Sequence, residues 1–447
     1  MKVFSYLVIM SIFSLPAISQ NNKSRKLDEL VSAYASQGKF NGSVLVAQRG
    51  EILLKKGYGI RNSSKNSKND SATVFQIASI TKQFTAVIIL RLVELNKMSL
   101  SDRLSKYYSG FPNGDSITIE NLLTHTSGIH NFTEDDTSIV ETDEGRMIPY
   151  LRKLRPDFAP GTSWHYSNSG YVLLGYIIQK VSGMSYWQAV RSFIFTPLHM
   201  NNSGFDFTHL LSNEKAMGYD QLNDSVQQPA NATDSTVPFA AGSIYSTVGD
   251  MYKWHRALQE YKIVGGHLME RAYTPCTQHN YGFGWQIDSV FGKKMVSHSG
   301  SISGFGSNFA RIVSDDVCIV MLSNISGSTF ELTHLTDKLL AVLYDKPYQI
   351  PVKRTPVKLA ESVLNRYVGT YEIDTIHVII DMTVENGVLI ARPHQGPTAV
   401  MVAMDERRFY IENDNEVEIA FDLDASQKVK GVEIFQNGTK RYAKKIK

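Results

Sequence analysis

Ser79 and Lys82 stand three residues apart in FQIASITKQFTAVIILRLVEL, Phe75 to Leu95, where a polar stretch becomes an apolar helix. Residues at that spacing share a helix face. A serine hydroxyl is a weak nucleophile until a neighbour takes its proton. A lysine does that only as the free amine, and both burial and the positive end of a helix disfavour its ammonium form. The position therefore tunes the lysine. The unpaired N–H groups of a helix start also suit a developing oxyanion. The same spacing recurs at Ser36–Lys39 and Ser212–Lys215, but neither pair opens a long apolar helix. Taken alone, Ser79 and Lys82 fit an N-capping serine and a snorkelling lysine equally well.

Two further stretches change that balance. PGTSWHYSNSGYVLLG holds Tyr166-Ser167-Asn168, the single Tyr-x-Asn of the chain, at a helix entrance. VSHSGSISGFGS holds His298-Ser299-Gly300 at a strand end, followed by small residues that permit close backbone approach. With these three motifs in this order, the chain resembles the penicillin-recognising serine hydrolases. That group spans class C β-lactamases, D-Ala-D-Ala carboxypeptidases and related esterases. NGSVLVAQRGE, LLTHTSGI, AAGSIYSTVGDMYKW and YGFGW look like further landmarks, so the resemblance covers Phe40 to Tyr344.

The resemblance implies roles. Ser79 is the acylated nucleophile, Lys82 its proton partner, and Tyr166 the general base or proton relay. Asn168 holds the substrate amide and orients Lys82. The N–H groups of Ser79 and Ser301 form the oxyanion hole beside Gly300. His298 stands where the family has lysine or, in many members, histidine. The expected substrate is a small peptide, amide or ester, with no cofactor. A catalytically silent protein that keeps the cleft and binds a cell-wall or protein partner is the alternative. His125 in LLTHTSG reads as a helix-end hydrogen-bonding residue. His165 lines the cleft or orients a neighbour. The remaining histidines lack metal-site spacing, so no zinc is expected. No G-x-S-x-G is present, which argues against an α/β-hydrolase.

These residues need elements to hold them. GSVLVAQ and EILLKKGY read as strands about an Arg49-Gly50 turn. Helical signals fill Leu100 to Leu198, including ENLLTHTSG and YVLLGYIIQKVSG, after a short helix at Lys26 to Ser36. Asn201 to Ser235, rich in Asn, Asp, Ser and Gln, reads as a long, partly mobile surface excursion. YGFGWQI, KKMVSHSG, SNFARIV and VCIVMLSN read as strands, and Leu332 to Tyr344 as a helix. Strands at both ends thus bracket a helical middle: an α/β (α+β) fold with one antiparallel sheet built from both chain ends and an inserted helical region. Beyond a proline-bearing stretch come YVGTY, HVIIDMTVE, GVLIARP, AVMVA, RRFYIE, VEIAFDL, KGVEIFQ and RYAKKI, with turn signals at Asn386-Gly387 and Asn437-Gly438. They predict a small all-β barrel-like domain.

At 447 residues the chain is too long for one ordinary core. The expected layout is a signal peptide at 1–19, a hydrolase domain at 20–350, a linker at 351–362 and the β domain at 363–447. Lys2, the apolar run Val3 to Leu15, and the small residues Ala17 and Ser19 form a secretory pattern too short to span a bilayer. The expected location is secreted or periplasmic, in a bacterium. A net charge of +3 without any run of like charge points to neither nucleic acid nor an anionic membrane. The two cysteines, Cys276 and Cys318, read as apolar fillers, with a single bridge as the alternative.

Overall fold

The structure, a computed structural model, describes residues 14–135, 143–223, 225–275, 279–352, 354–373, 377–394, 396–412, 414–436 and 439–447. The chain divides into two compact units, Met1–Asp337 and Lys338–Lys447.

In the first unit, β1 (Gly42–Gln48) and β2 (Glu51–Tyr58) form a hairpin. Its turn residues Arg49 and Gly50 both take left-handed backbone, φ 54° and 79°, the geometry that follows the strand twist. The other edge of β1 pairs with a strand from far along the chain, with Gly42 opposite Ser323 and Gln48 opposite Val317. Numbering the remaining strands β3 (Gln286–Val290), β4 (Lys293–Ile302), β5 (Phe305–Ile312) and β6 (Val317–Ser323), the sheet order is β2-β1-β6-β5-β4-β3. Every neighbouring pair is antiparallel. β5 and β6 are buried along their whole length. That is why VCIVMLS is an unbroken apolar run: a strand covered on both faces has no polar side to alternate with.

The helical region lies between β2 and β3. Helix α1 (Ser14–Ser36) precedes the sheet, and α2 (Thr81–Glu94), α3 (Asn168–Ser182) and α4 (Val248–Gln259) follow the first hairpin. Every residue of α2 from Thr81 to Leu90 is buried, as expected of a helix enclosed on all sides. Phe84 stacks on Trp254 at 4.4 Å and meets Phe195 edge-on at 5.9 Å. α3 begins where the Ser167 hydroxyl accepts the Gly170 N–H, and ends at Gly183 with φ 72°. Cys318 is a free, buried thiol in β6, and Cys276 lies outside the described residues.

Three expectations are corrected. Helix α1 starts at Ser14 rather than Lys26. Pro16 does not stop it, because a proline in the first turn lacks only an N–H that has no helical partner. Residues 1–13 lie outside the described residues. YGFGWQI is not a strand throughout: Tyr281 to Trp285 form a turn, and β3 starts at Gln286. Gly284 permits the turn with φ 79°, and Gly282 lets it approach Ala272, whose carbonyl oxygen would lie 2.1 Å from a Cβ there. The polar segment after Asn201 is pinned rather than loose. Val74 N–H donates to Glu214 O at 2.8 Å, Met217 N–H to Arg61 O at 2.9 Å and Tyr219 N–H to Asn324 O at 3.0 Å.

Helix α5 (Thr329–Leu343) carries the chain into the second unit. No described residue from 346 to 360 is in helix or strand. Eight strands then close into an antiparallel barrel. They are β7 (Gly369–Ile373), β8 (Val378–Glu385), β9 (Val388–Pro393), β10 (Ala399–Ala403), β11 (Arg408–Ile411), β12 (Asp414–Leu423), β13 (Val429–Gln436) and β14 (Thr439–Lys445). Tyr371 opposite Lys445 closes the ring. Asn386-Gly387 makes the expected left-handed turn, φ 51° and 77°, while Asn437-Gly438 lies outside the described residues. Stacked Tyr367 and Phe421, 4.0 Å apart, and Phe409 at 5.5 Å from Phe421 fill the interior.

Truncating Phe84 to alanine removes both ring contacts at a fully buried site. The expected loss is about 3–5 kcal/mol, read from urea unfolding followed by tryptophan fluorescence. A loss below about 1 kcal/mol would show that the surrounding helices close the cavity.

Candidate active site

Ser79 sits in a single 3-10 turn, Ala78–Ile80, that runs directly into α2. It lies just before the α-helix rather than in its first turn. Ala78 has φ 46°, a conformation that costs a side-chain-bearing residue on the order of 1 kcal/mol or more. The surroundings enforce it. Ile77 N–H donates to Ile244 O at 2.9 Å, and the Ile77 carbonyl accepts the Ser307 hydroxyl at 2.8 Å. Gly300 on β4 lies against this turn, where an added Cβ would come 2.4 Å from Ile77 O and 3.1 Å from Ala78 Cβ. Only glycine lets the strand run this close to Ser79. Ser301, the next residue, is exposed and pairs with Gly306.

Lys82 is fully buried. Its Nζ lies 2.8 Å from Asn168 Oδ1, 2.8 Å from the Ala241 carbonyl and 3.1 Å from Ser79 Oγ. A carbonyl and an amide oxygen only accept hydrogen bonds. They therefore commit two of the lysine's protons. What remains on Nζ faces the serine: a third proton in the ammonium, a lone pair in the amine. Burial decides between them by pushing the lysine well below its usual range. The nitrogen sits over the rings of Tyr166 and Tyr171, 4.8 and 5.5 Å from their centres. Those faces accommodate a transient positive charge.

Tyr166 reaches the same hydroxyl. Burial raises its phenol, and the hydrogen bond with Ser79 pulls the other way without overcoming it. Both shifts favour one resting pair, lysine amine and tyrosine phenol.

His298 does not join this cluster directly. It is buried, with Nε2 2.9 Å from the Tyr281 hydroxyl and Nδ1 2.6 Å from the Ser299 carbonyl. Ser299 O can only accept, so Nδ1 carries the proton and Nε2 accepts from Tyr281. Both ring nitrogens are used within the protein. Burial, followed by repulsion from Lys82, brings the imidazole down to about 3. His298 is thus held neutral, with both ring nitrogens engaged. The turn that supplies Tyr281 is seated against α2: a Cβ on Gly284 would lie 2.9 Å from Lys82 O.

His125 is buried with φ 60°, and its Nδ1 accepts the Ser167 N–H at 3.0 Å where α3 begins. That is the helix-end role expected of it. His165 does not act on Tyr166. Asp157 bridges it to His130, with Oδ2 3.0 Å from His165 Nδ1 and Oδ1 2.7 Å from His130 Nδ1. The segment so clamped carries Asn131, whose Oδ1 accepts the Asn168 N–H at 3.0 Å, and Thr133, whose hydroxyl accepts from Asn168 Nδ2 at 3.0 Å. Asn168 is thereby fixed with its carbonyl toward Lys82. Sequence reasoning found Ser79, Lys82, Tyr166, Asn168, His298, Gly300 and Ser301, but not Ala241, Ser307, Asn131, Thr133 or Asp157. Their contributions are a main-chain oxygen or ordinary polar side chains, which carry no motif. Tyr281 was visible within YGFGW, though not its partner. Among the described residues no cluster of histidine, cysteine and acidic side chains has a metal-binding arrangement.

The beta-lactamase family matches residues 27–343. The chain belongs to the beta-lactamase family. Within it, the penicillin-binding protein PbpX of Bacillus subtilis (strain 168) is 31% identical over 71% of this chain and 78% of its own length. Penicillin-binding protein 4* of the same organism is 27% identical over 96% of this chain and 100% of its own. The solved octameric penicillin-binding protein homologue from Pyrococcus abyssi matches both units, with a TM-score of 0.68 and 26% identity over 94% of this chain and 99% of that one.

A histidine buried neutral has a definite effect on stability. The unfolded chain binds its proton near pH 6.5, whereas the folded one binds it only near pH 3. Stability from His298 is therefore fully present above pH 6.5 and is lost as pH falls toward 3. The shift corresponds to on the order of 4 kcal/mol. Melting temperature is expected to fall steadily from pH 6.5 to 4, and His298→Gln to flatten that fall. An unchanged slope in the variant would show that His298 is already protonated in the folded protein.

Proposed function

We propose that this protein is a secreted serine hydrolase that works through an acyl-enzyme on small amide or ester substrates. The observation that carries this reading is the aim of Lys82 Nζ at Ser79 Oγ while two obligate acceptors hold its protons. The amine takes the Ser79 proton as Oγ attacks the substrate carbonyl. The oxyanion settles between the N–H groups of Ser79 and Ser301, which Gly300 lets approach one another. As the intermediate collapses, the Tyr166 phenol protonates the leaving nitrogen or oxygen. The acyl-enzyme is left with a Lys82 ammonium and a Tyr166 phenolate, a neutralising pair. In the second half, Tyr166 takes a proton from water, hydroxide attacks the ester, and Lys82 returns its proton to Ser79. Tyr166 is thus the acid of acylation and the base of deacylation. Lys2 and the apolar run Val3 to Leu15 support export.

The cleft also suggests a preference. In its lysine-bearing relatives the position of His298 holds a cation, whereas His298 here is neutral with both nitrogens engaged. Leaving groups that carry a carboxylate gain no charge partner there, so neutral esters and amides are favoured over β-lactams.

Lys82→Ala is expected to lower acylation by a nitrophenyl ester about a thousandfold while leaving the melting temperature within a few degrees. Ser79→Ala should abolish labelling by a fluorophosphonate. A folded, fully active Lys82→Ala protein would remove the base assignment, and absence of labelling in the wild type would favour the silent binding protein.

The wild-type ratio of cephalosporin to ester hydrolysis should be low and flat from pH 5.5 to 8.5, and His298→Lys should raise it. A wild-type ratio that climbs as pH falls through 6.5 would mean that His298 does titrate in the cleft.

A further inference from the structure

Residues 425–447 carry seven lysines and arginines against one acid, Glu433. No run of like charge marks them, because apolar residues and glycine alternate with the basic ones along β13 and β14. The hairpin register gathers them, with Gly431 opposite Lys444 and Glu433 opposite Tyr442. The result is an open groove of about 610 Å3 on the barrel, lined by Lys428, Lys430, Lys444 and Lys445 with Val429 and Tyr442 between. Tyr442 lies over the bare face of Gly431, where an added Cβ would come 2.6 Å from its hydroxyl oxygen. The ring forms a wall of the groove rather than a projection from it.

The charges in this groove are only partly answered within the barrel: Lys430 acts on Asp424, and Lys447, which also lines the groove, on Asp381. Among the described residues, no acidic side chain lies within ion-pairing distance of Lys428, Lys430 or Lys444. The nearest acids are engaged by uncharged donors. Asp424 accepts the N–H groups of Ser426 and Lys428, at 2.8 and 2.9 Å, and Asp422 accepts the Tyr442 hydroxyl at 3.0 Å. Glu433 pairs with Lys440, outside the groove lining. Lys445 is tethered through Nζ to Val368 O at 2.6 Å, and burial and then repulsion from Lys428 push it below the ordinary lysine range. Like charges crowded without a counter-ion are stabilised by an added anion.

We propose that this groove binds a linear polyanion with a phosphate in each repeat. Several free ammonium groups along one open trough exceed what a single phosphate neutralises, and lysine reads phosphate as a point charge with little demand on geometry. A chain lying in the trough meets them in succession. A flat anionic membrane would not enter a concave wall. Nucleic-acid bases would find one aromatic ring, already tied to Asp422.

The test uses the full chain and inorganic polyphosphate, with affinity measured at several salt concentrations. The variant Lys428→Gln/Lys430→Gln/Lys444→Gln is expected to bind at least about tenfold more weakly at 0.1 M salt, with a log–log salt slope shallower by about 2. Nitrophenyl-ester hydrolysis should be unchanged, since none of the three residues belongs to the catalytic cluster. A control triple variant, Lys55→Gln/Lys65→Gln/Lys68→Gln, should bind like wild type. Equal affinity in wild type and groove variant overturns the proposal, as does equal weakening in the control. So does tighter binding to phosphatidylglycerol vesicles or to a thymidine oligomer than to polyphosphate at matched phosphate concentration.

Discussion

A lysine with no access to water must either give up its charge or be surrounded by oxygen, and this protein arranges Lys82 so that both hold at different stages. At rest, burial favours the amine, and the Ala241 carbonyl and Asn168 Oδ1 fix the direction of its lone pair. In the proposed reaction the same two oxygens and two tyrosine faces would receive the ammonium. Little reorganisation is needed when the proton moves, which is the physical content of a preorganised site. The enclosing core is therefore part of the chemistry. Without α3 and α4 packed around α2, Lys82 would be hydrated, charged and useless as a base.

Close backbone approach is the second constraint. Gly300 lies against the strained Ala78 turn, and Gly284 lies against the Lys82 carbonyl. A methyl group at Gly300 would meet both the Ile77 carbonyl and the Ser307 hydroxyl that donates to it, so the strand or the turn would have to move. The strain at Ala78 is held by bonds through Ile77 to Ile244 and Ser307, on two different elements. Ser79 is thus positioned by main-chain geometry.

A third layer acts through Asn168. The segment carrying Asn131 and Thr133 grips it, and Asp157 grips that segment through His130, with His165 on the other carboxylate oxygen. Hydrogen bonds from both histidines hold the Asp157 carboxyl below the usual range against the effect of its own burial. Two histidines near the nucleophile thus serve as struts, and His298 is a third, locked by Tyr281. Histidine beside a reactive serine invites assignment as its base, yet all three are spent on holding structure.

The sequence by itself determined the spacing of Ser79 and Lys82, the Tyr166–Asn168 pair, the sheet built from both ends, and all eight barrel strands. These are local facts: a helix period, a strand period, a turn dipeptide. It also placed His125 at a helix end, within LLTHTSG. It did not reveal Ala241, which contributes only a carbonyl oxygen that every residue possesses. Nor did it reveal which way His298 points, or that Tyr281 engages it from 17 residues away. The basic groove was equally invisible, since its lysines are dispersed along two strands until the hairpin register sets them side by side. Residue type and spacing say what a side chain is able to do. Burial, lone-pair direction and charge crowding come from residues distant in the chain, so only the tertiary structure decided which way the Lys82 lone pair points and that His298 is held neutral near pH 7.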